Sequence, residues 1–217
     1  MRYLDGDVAY FVHASPYLAL AKPSSAVAFL RRHVEAAEEL APVLRAYPGV
    51  RIEPLDFFYV CLRSLGALDQ TFFEALLRDH TWRGVVWGAW LAMLDPRDTL
   101  VDPLRAAGPR WPHNEWLVDC AIATIGGKTP APPLEAVMAL AARCRRSLDG
   151  VPRPVVRLRP EPTDQQISAM EWERRCVRSA YVRLGAEAAL RCLPGTLVGF
   201  YAVDYPRWVR SGAPDHG

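Results

Sequence analysis

The sequence lacks the features that mark a membrane or secreted protein. Its longest apolar runs, such as residues 85–94, fall well short of the roughly 20 residues that a membrane-spanning helix needs. The N-terminal stretch MRYLDGDVAYF holds two acidic residues where a secretory signal has a basic flank. The sequence therefore predicts a cytoplasmic protein that does not partner a membrane.

Closely spaced cysteine pairs are missing as well. The five cysteines are an odd number, lie far apart, and each falls within an apolar helical pattern. A metal site needs a close pair such as C-x-x-C or a histidine at helical spacing, so we expect neither a metal nor another cofactor. We interpret all five as reduced core residues, in keeping with the cytoplasm: Cys61, Cys120, Cys144, Cys176 and Cys192.

Lysine is nearly absent, since it occurs only at Lys22 and Lys128, a bias that a GC-rich genome explains by itself. The net charge of +2 is a poor basis for binding nucleic acid, where phosphate contacts supply most of the affinity. Residues 1–142 carry 13 basic and 16 acidic residues, or −3, whereas residues 143–217 carry 13 and 8, or +5. The two parts are suited to different partners.

Residues 68–95 contain the pattern that the rest of the chain repeats, namely two helices joined by the polar turn 79–81. Thr81 is placed to cap the second helix, whose apolar residues then form one wide stripe. Gly84 and Gly88 each cost a helix about 1 kcal/mol relative to alanine. They therefore predict a neighbouring helix that approaches closely.

Three further stretches, 56–66, 116–126 and 175–185, align without gaps on residues 84–94. Three of the four copies end in glycine, the usual residue after a helix. Side-chain size is similar within each aligned column, with small residues where helices must touch and bulky ones where a core must be filled. The columns predicted to point inward are Phe58, Val86, Val118 and Val177; Cys61, Ala89, Ala121 and Ala180; Leu62, Trp90, Ile122 and Tyr181; and Leu65, Met93, Ile125 and Leu184.

The chain resembles the HEAT and armadillo class of helical-hairpin repeats, chiefly in residues 76–83, LLRDHTWR, and 88–94, GAWLAML. The resemblance covers roughly residues 50–190. It implies an all-α fold: a short right-handed α-α superhelix of about four HEAT-like helical hairpins, whose inner helices end near residues 66, 94, 126 and 185. The alternative is an irregular helical bundle.

A chain of 217 residues, 51% of them hydrophobic, is long enough for one well-buried domain. We expect a single domain over residues 1–217, with an N-terminal cap at 1–48 and a C-terminal cap at 186–217. Residues 150–162 interrupt the repeats with four prolines and three arginines, and the prolines exclude a helix. This segment is either part of a binding face or a plain connector.

Two columns of the alignment point away from the predicted core and would line a groove that runs from acidic and aromatic to basic. Aromatic and arginine side chains are the usual energetic anchors of protein interfaces. The alternative is that the two tryptophans are buried against adjacent helices. Leaving Gly84 aside, the predicted partner-binding residues are Asp56, Tyr59, Trp87, Trp116, Asp119, Arg175 and Arg178.

No stretch carries a catalytic motif, so we predict no catalytic residue and favour a non-catalytic protein-binding scaffold. By size and repeat architecture the chain is similar to small immunity proteins that bind and block a bacterial toxin. The alternative is a HEAT-like DNA-binding protein or alkylpurine DNA glycosylase, with Asp119 acting near Trp87 and Trp116. The charge balance argues against that alternative. The sequence sets no oligomeric state.

Overall fold

The fold was taken from a computed structural model, which describes residues 7–14, 17–46, 55–128, 134–153, 164–193 and 196–202. Throughout these ranges the regular structure is α-helix and short 3₁₀ turns, with no β-strand, so the all-α prediction is confirmed. The α-helices are α1 (Asp7–Ala14), α2 (Tyr17–Leu20), α3 (Pro23–Glu39), α4 (Ala41–Ala46), α5 (Asp56–Ala67), α6 (Gln70–Arg78), α7 (Trp82–Leu94), α8 (Val101–Ala107), α9 (Glu115–Ile125), α10 (Leu134–Leu148), α11 (Asp164–Leu184), α12 (Ala186–Arg191) and α13 (Leu197–Ala202).

The chain divides into two compact units. Unit 1 comprises Met1–Glu35 and Ser64–Asp149, and unit 2 comprises Ala36–Arg63 and Gly150–Gly217. The boundaries therefore fall within helices α3 and α5. The single domain with caps at 1–48 and 186–217 stays a prediction.

Unit 1 contains two helical hairpins that lie side by side. Helix α6 packs on α7, and α8 packs on α9. The second helices of the two hairpins, α7 and α9, contact each other, and so do the first helices, α6 and α8. Corresponding helices are neighbours in the same way in stacked repeats. Helix α10 then packs on both α7 and α9.

Helix α7 is the centre of unit 1, and every residue from 84 to 94 is buried. A Cβ atom at Gly84 would lie 2.1 Å from the carbonyl oxygen of Leu76, and one at Gly88 would lie 2.9 Å from Cδ2 of Leu77. Both clashes are with helix α6. The close neighbour predicted from the two glycines is thus confirmed.

The turn between α6 and α7 is held by Asp79 rather than by a threonine cap. The Asp79 carboxylate accepts hydrogen bonds from the Thr81 backbone N–H, at 2.9 Å, and from the Thr81 hydroxyl, at 2.5 Å. Thr81 occupies the N-cap position of α7 but makes no side-chain bond to the helix. The predicted capping role of Thr81 is therefore wrong, because its hydroxyl is used by the preceding turn.

In unit 2 the long helix α11 packs against α12 and α13, and α12 packs against α4. The Glu173 carboxylate on α11 accepts hydrogen bonds from the backbone N–H groups of Leu197, at 3.2 Å, and Val198, at 2.9 Å. These groups begin helix α13 and have no partner inside it, so Glu173 fixes the start of that helix. Residues 154–163, which include most of the proline-rich segment, lie outside the described residues.

The predicted inner helices end close to the predicted positions, at Ala67, Leu94, Ile125 and Leu184. Gly185 follows α11 with φ at +84°, a left-handed conformation that favours glycine. Two of the four inward columns are buried throughout: Phe58, Val86, Val118 and Val177, and Cys61, Ala89, Ala121 and Ala180. In the fourth column Leu184 is 73% exposed, so its inward orientation is wrong, because the last buried residue of α11 is Ala180 and the column extends one turn beyond it.

Candidate functional site

Three of the predicted partner-binding residues have exposed side chains. They are Asp119 on α9, in unit 1, and Arg175 and Arg178 on α11, in unit 2. Asp56, at the start of α5, and Trp116, on α9, are half-buried. The Trp116 indole N–H donates a hydrogen bond of 3.4 Å to the carbonyl oxygen of Ala21.

Tyr59 and Trp87 are buried, so the outward orientation predicted for them is wrong. The Trp87 side chain is fully buried, and its indole N–H donates a 2.9 Å hydrogen bond to the Ser64 hydroxyl. Helix α7 has neighbours on all sides, namely α1, α2, α6, α8, α9 and α10, which leaves it no outward face. These two residues belong to the core, the alternative that the sequence left open for Trp87.

Trp172 on α11 is the most exposed aromatic residue among the side chains that the structure describes. The Trp172 side chain is 62% exposed, and Val182, three helical turns further on, is 72% exposed. Met170 and Val177 on the same helix are buried, and Trp172 lies on the face of the helix away from them. Helical periodicity is therefore the signal that locates Trp172 on the exposed side.

The exposed face of α11 is basic. Between residues 168 and 184 the exposed charged side chains are Glu171, Arg175, Arg178 and Arg183, so three positive charges and one negative leave +2. Ile167 is 39% exposed at the edge of this face. Large apolar side chains beside arginines on one exposed face are typical of protein interfaces.

Asp119 lines an open cavity of about 260 Å³ in unit 1. Its lining includes two carboxylates, Asp98 and Asp119, and two cations, Arg105 and Lys128. Apolar side chains such as Ile122 complete the lining. Among the described lining residues there is no aromatic ring on which a nucleobase could stack, as the base pockets of DNA-repair enzymes provide. Of the two tryptophans in the predicted glycosylase constellation, Trp87 is buried and Trp116 is half-buried.

The titratable side chains indicate structural roles. Burial raises the pKa of the Cys120 thiol to about 12, with a smaller contribution from the neighbouring Asp119 charge, so this thiol is not a nucleophile at neutral pH. Over the part of the chain that the structure describes, no group of three His, Cys, Asp or Glu side chains is arranged to hold a metal ion.

The cysteines differ in environment. Cys61, Cys120 and Cys144 are buried, as predicted, and Cys192 is half-buried, but Cys176 is exposed on α11. The interpretation of all five as core residues is therefore wrong for Cys176. It lies four residues after Trp172, on the outer side of the helix.

Comparison with protein-family models, with curated proteins and with solved structures finds no match to this chain. The description of the site therefore depends on its own geometry. Within the described ranges, each helix is too short or too polar to cross a lipid bilayer.

Proposed function

We propose that the protein is a non-catalytic, protein-binding scaffold that acts in the cytoplasm and binds its partner through the exposed face of helix α11. The observation that carries the proposal is the 62% exposure of Trp172 beside Arg175 on a basic helix face. Tryptophan and arginine are the residues most enriched among interface hot spots. An exposed tryptophan on a rigid helix loses little conformational freedom on binding.

The finer architecture that we propose is a short right-handed superhelix of about four HEAT-like hairpins. The packing of α6–α7 beside α8–α9 in unit 1 supports two of them. The two buried columns of the alignment, one of Phe and Val and one of small residues, run through all four aligned helices and support the others. Such a scaffold presents surface side chains without needing chemistry of its own.

Within this class we propose an immunity-type role, in which the scaffold binds and blocks a toxin. An inhibitor of this kind works by covering a surface, so it needs exposed anchors and no catalytic group. The described surface has the anchors on α11, where Trp172 is 62% exposed and Arg175 is exposed.

The test is site-specific photo-crosslinking in cells of the source organism, with a photoreactive amino acid in place of Trp172. Leu18, which is 71% exposed on α2, is the matched control position. We expect a crosslinked polypeptide from position 172 and none from position 18. After identification and purification of that polypeptide, Trp172→Ala should weaken the complex by about 2 kcal/mol, while Leu18→Ala should leave it unchanged.

The competing proposal is a DNA glycosylase, and it predicts different results. Duplex DNA with an alkylated base would bind, binding would fall steeply with salt, and Asp119→Asn would abolish base release without abolishing binding. That outcome, together with no polypeptide crosslinked through position 172, would overturn the protein-binding proposal.

A further inference from the structure

Five residues form a straight seam along the exposed face of α11. Residues 168, 172, 175, 179 and 182 follow one another at intervals of four, three, four and three. This 3.5-residue repeat keeps side chains on one face of a helix and is the spacing along which a second helix packs. Four of the five side chains are exposed and Ser179 is half-buried, so the seam is open along its length: Ser168, Trp172, Arg175, Ser179 and Val182.

The seam has room for another helix beside Trp172. Ser168, one turn before Trp172, and Ser179, one turn after Arg175, are short side chains, so a partner backbone can approach closely at these two positions of the seam. From residue 168 to residue 182 the seam runs about 21 Å at roughly 1.5 Å per residue, the length of about four helical turns.

Charge decides which helix fits. Arg175 lies in the seam, with Arg178 and Arg183 beside it. The exposed carboxylates of α11 are those of Glu171 and, one turn before the seam, Asp164, so the exposed charges of the helix still sum to +1. The other nearby carboxylate on α11, that of Glu173, is occupied by the N–H groups of α13. Like charges placed opposite each other cost several kcal/mol, whereas opposite charges steer association and fix the register of the partner.

We propose that the partner docks on this seam through an acidic amphipathic α-helix. Its apolar residues lie on Trp172 and Val182, and its flanking carboxylates face Arg175, Arg178 and Arg183. This inference rests on the proposed protein-binding function and names the chemistry of the partner. Helices with apolar anchors at every third or fourth residue are a common means of docking into such a surface.

Two other occupants fit the seam less well. A second copy would bring two faces of net positive charge together. A membrane-surface helix needs a broad apolar face to insert between lipids, whereas only two of the five seam residues, Trp172 and Val182, are large and apolar.

The experiment selects partner helices without fixing their charge. A phage-displayed library of helical peptides of about four turns has leucine along one face of the helix. The positions that flank this face vary among glutamate, glutamine and lysine. The library is sorted against the full-length protein, with counter-selection against Trp172→Ala. We expect glutamate to outnumber lysine at least fivefold at the flanking positions, and Trp172→Ala to weaken a selected peptide at least tenfold.

Charge reversal gives the sharpest control. The double variant Arg175→Glu and Arg178→Glu should lose binding of the acidic peptides and instead select lysine-rich ones. The matched double variant Arg31→Glu and Arg32→Glu, at exposed positions of α3, should select the same peptides as the unaltered protein. Far-UV circular dichroism of each variant reports whether the helices are retained.

Several results would overturn the inference. They are selected peptides that are neutral or basic, the absence of any peptide whose binding depends on Trp172, a Trp172-dependent dimer in sedimentation, or Trp172-dependent binding to phosphatidylglycerol vesicles. The photo-crosslink separates this inference from the proposed function. A crosslinked polypeptide whose contact segment is not an acidic helix overturns the inference alone, whereas no crosslinked polypeptide overturns both.

Discussion

The indole N–H of Trp87 donates a hydrogen bond of 2.9 Å to the hydroxyl oxygen of Ser64, and both side chains are fully buried. Helices α5 and α7 are thereby joined in unit 1 by a polar contact inside an apolar environment. A buried N–H without a partner costs folding free energy. The Ser64 hydroxyl avoids that cost by accepting the hydrogen bond of the buried Trp87 indole.

Ser64→Ala should lower the free energy of unfolding by about 1–3 kcal/mol, because the Trp87 N–H then loses its acceptor. Trp87→Phe removes the donor and leaves a cavity. The double variant should therefore be more stable than the sum of the two single changes implies, by about 1 kcal/mol. Urea denaturation of the four proteins measures this coupling, and additive effects would show that the hydrogen bond contributes nothing.

Gly84→Ala should be more destabilising than Gly88→Ala. At Gly84 the new Cβ meets a backbone oxygen, that of Leu76, at 2.1 Å, so the two helices of the hairpin must separate. At Gly88 it meets the end of the Leu77 side chain, which can move. We expect a loss of about 1–3 kcal/mol at Gly84 despite the helix propensity of alanine, and a smaller loss at Gly88. Thermal unfolding that ranks them in reverse order would contradict the packing.

Cys176 should react with a maleimide reagent in the folded protein well before the three buried cysteines do. It is exposed on α11, whereas Cys61, Cys120 and Cys144 are buried. The pKa of Cys120, raised to about 12 by burial, removes the thiolate that would react. Peptide mapping by mass spectrometry identifies the labelled site, and Cys176→Ser should abolish the fast phase. Fast labelling of Cys120 would contradict its burial.

Helical periodicity predicted the elements and the direction of the core correctly, because a single sequence records which face of each helix is apolar. The ends of four helices and the burial of positions such as Val118 and Ala121 follow from it. What it does not record is how many neighbours a helix has. Helix α7 was treated as one repeat among four, although its apolar residues occur all round and predict complete burial.

The candidate site was predicted in part for the same reason. The alignment predicts outward side chains at the same two positions of each aligned helix. The prediction is correct for Arg175 and Arg178 on α11, which are exposed, and wrong for Tyr59 on α5 and Trp87 on α7, which are buried. Trp172 lies three residues before the aligned stretch 175–185, so the alignment assigns it no orientation. A helical projection of the whole of α11, rather than of its repeated part, places that residue on the exposed side.

The Tyr181 hydroxyl donates a 2.7 Å hydrogen bond to the Glu39 carboxylate within unit 2. Burial, then the hydrogen bond and the charge of Glu39, raise the Tyr181 pKa to about 12. The folded state therefore holds the phenolic proton more tightly than the unfolded state, whose tyrosine pKa is about 10. The resulting stabilisation is fully present below pH ~10 and is lost as pH rises to about 12. Tyr181→Phe should accordingly be destabilising at neutral pH and progressively less so through that window, and Glu39→Gln should lower the Tyr181 pKa in a phenolate absorbance titration. A stability difference that grows with pH would contradict the assignment, because it has the opposite sign.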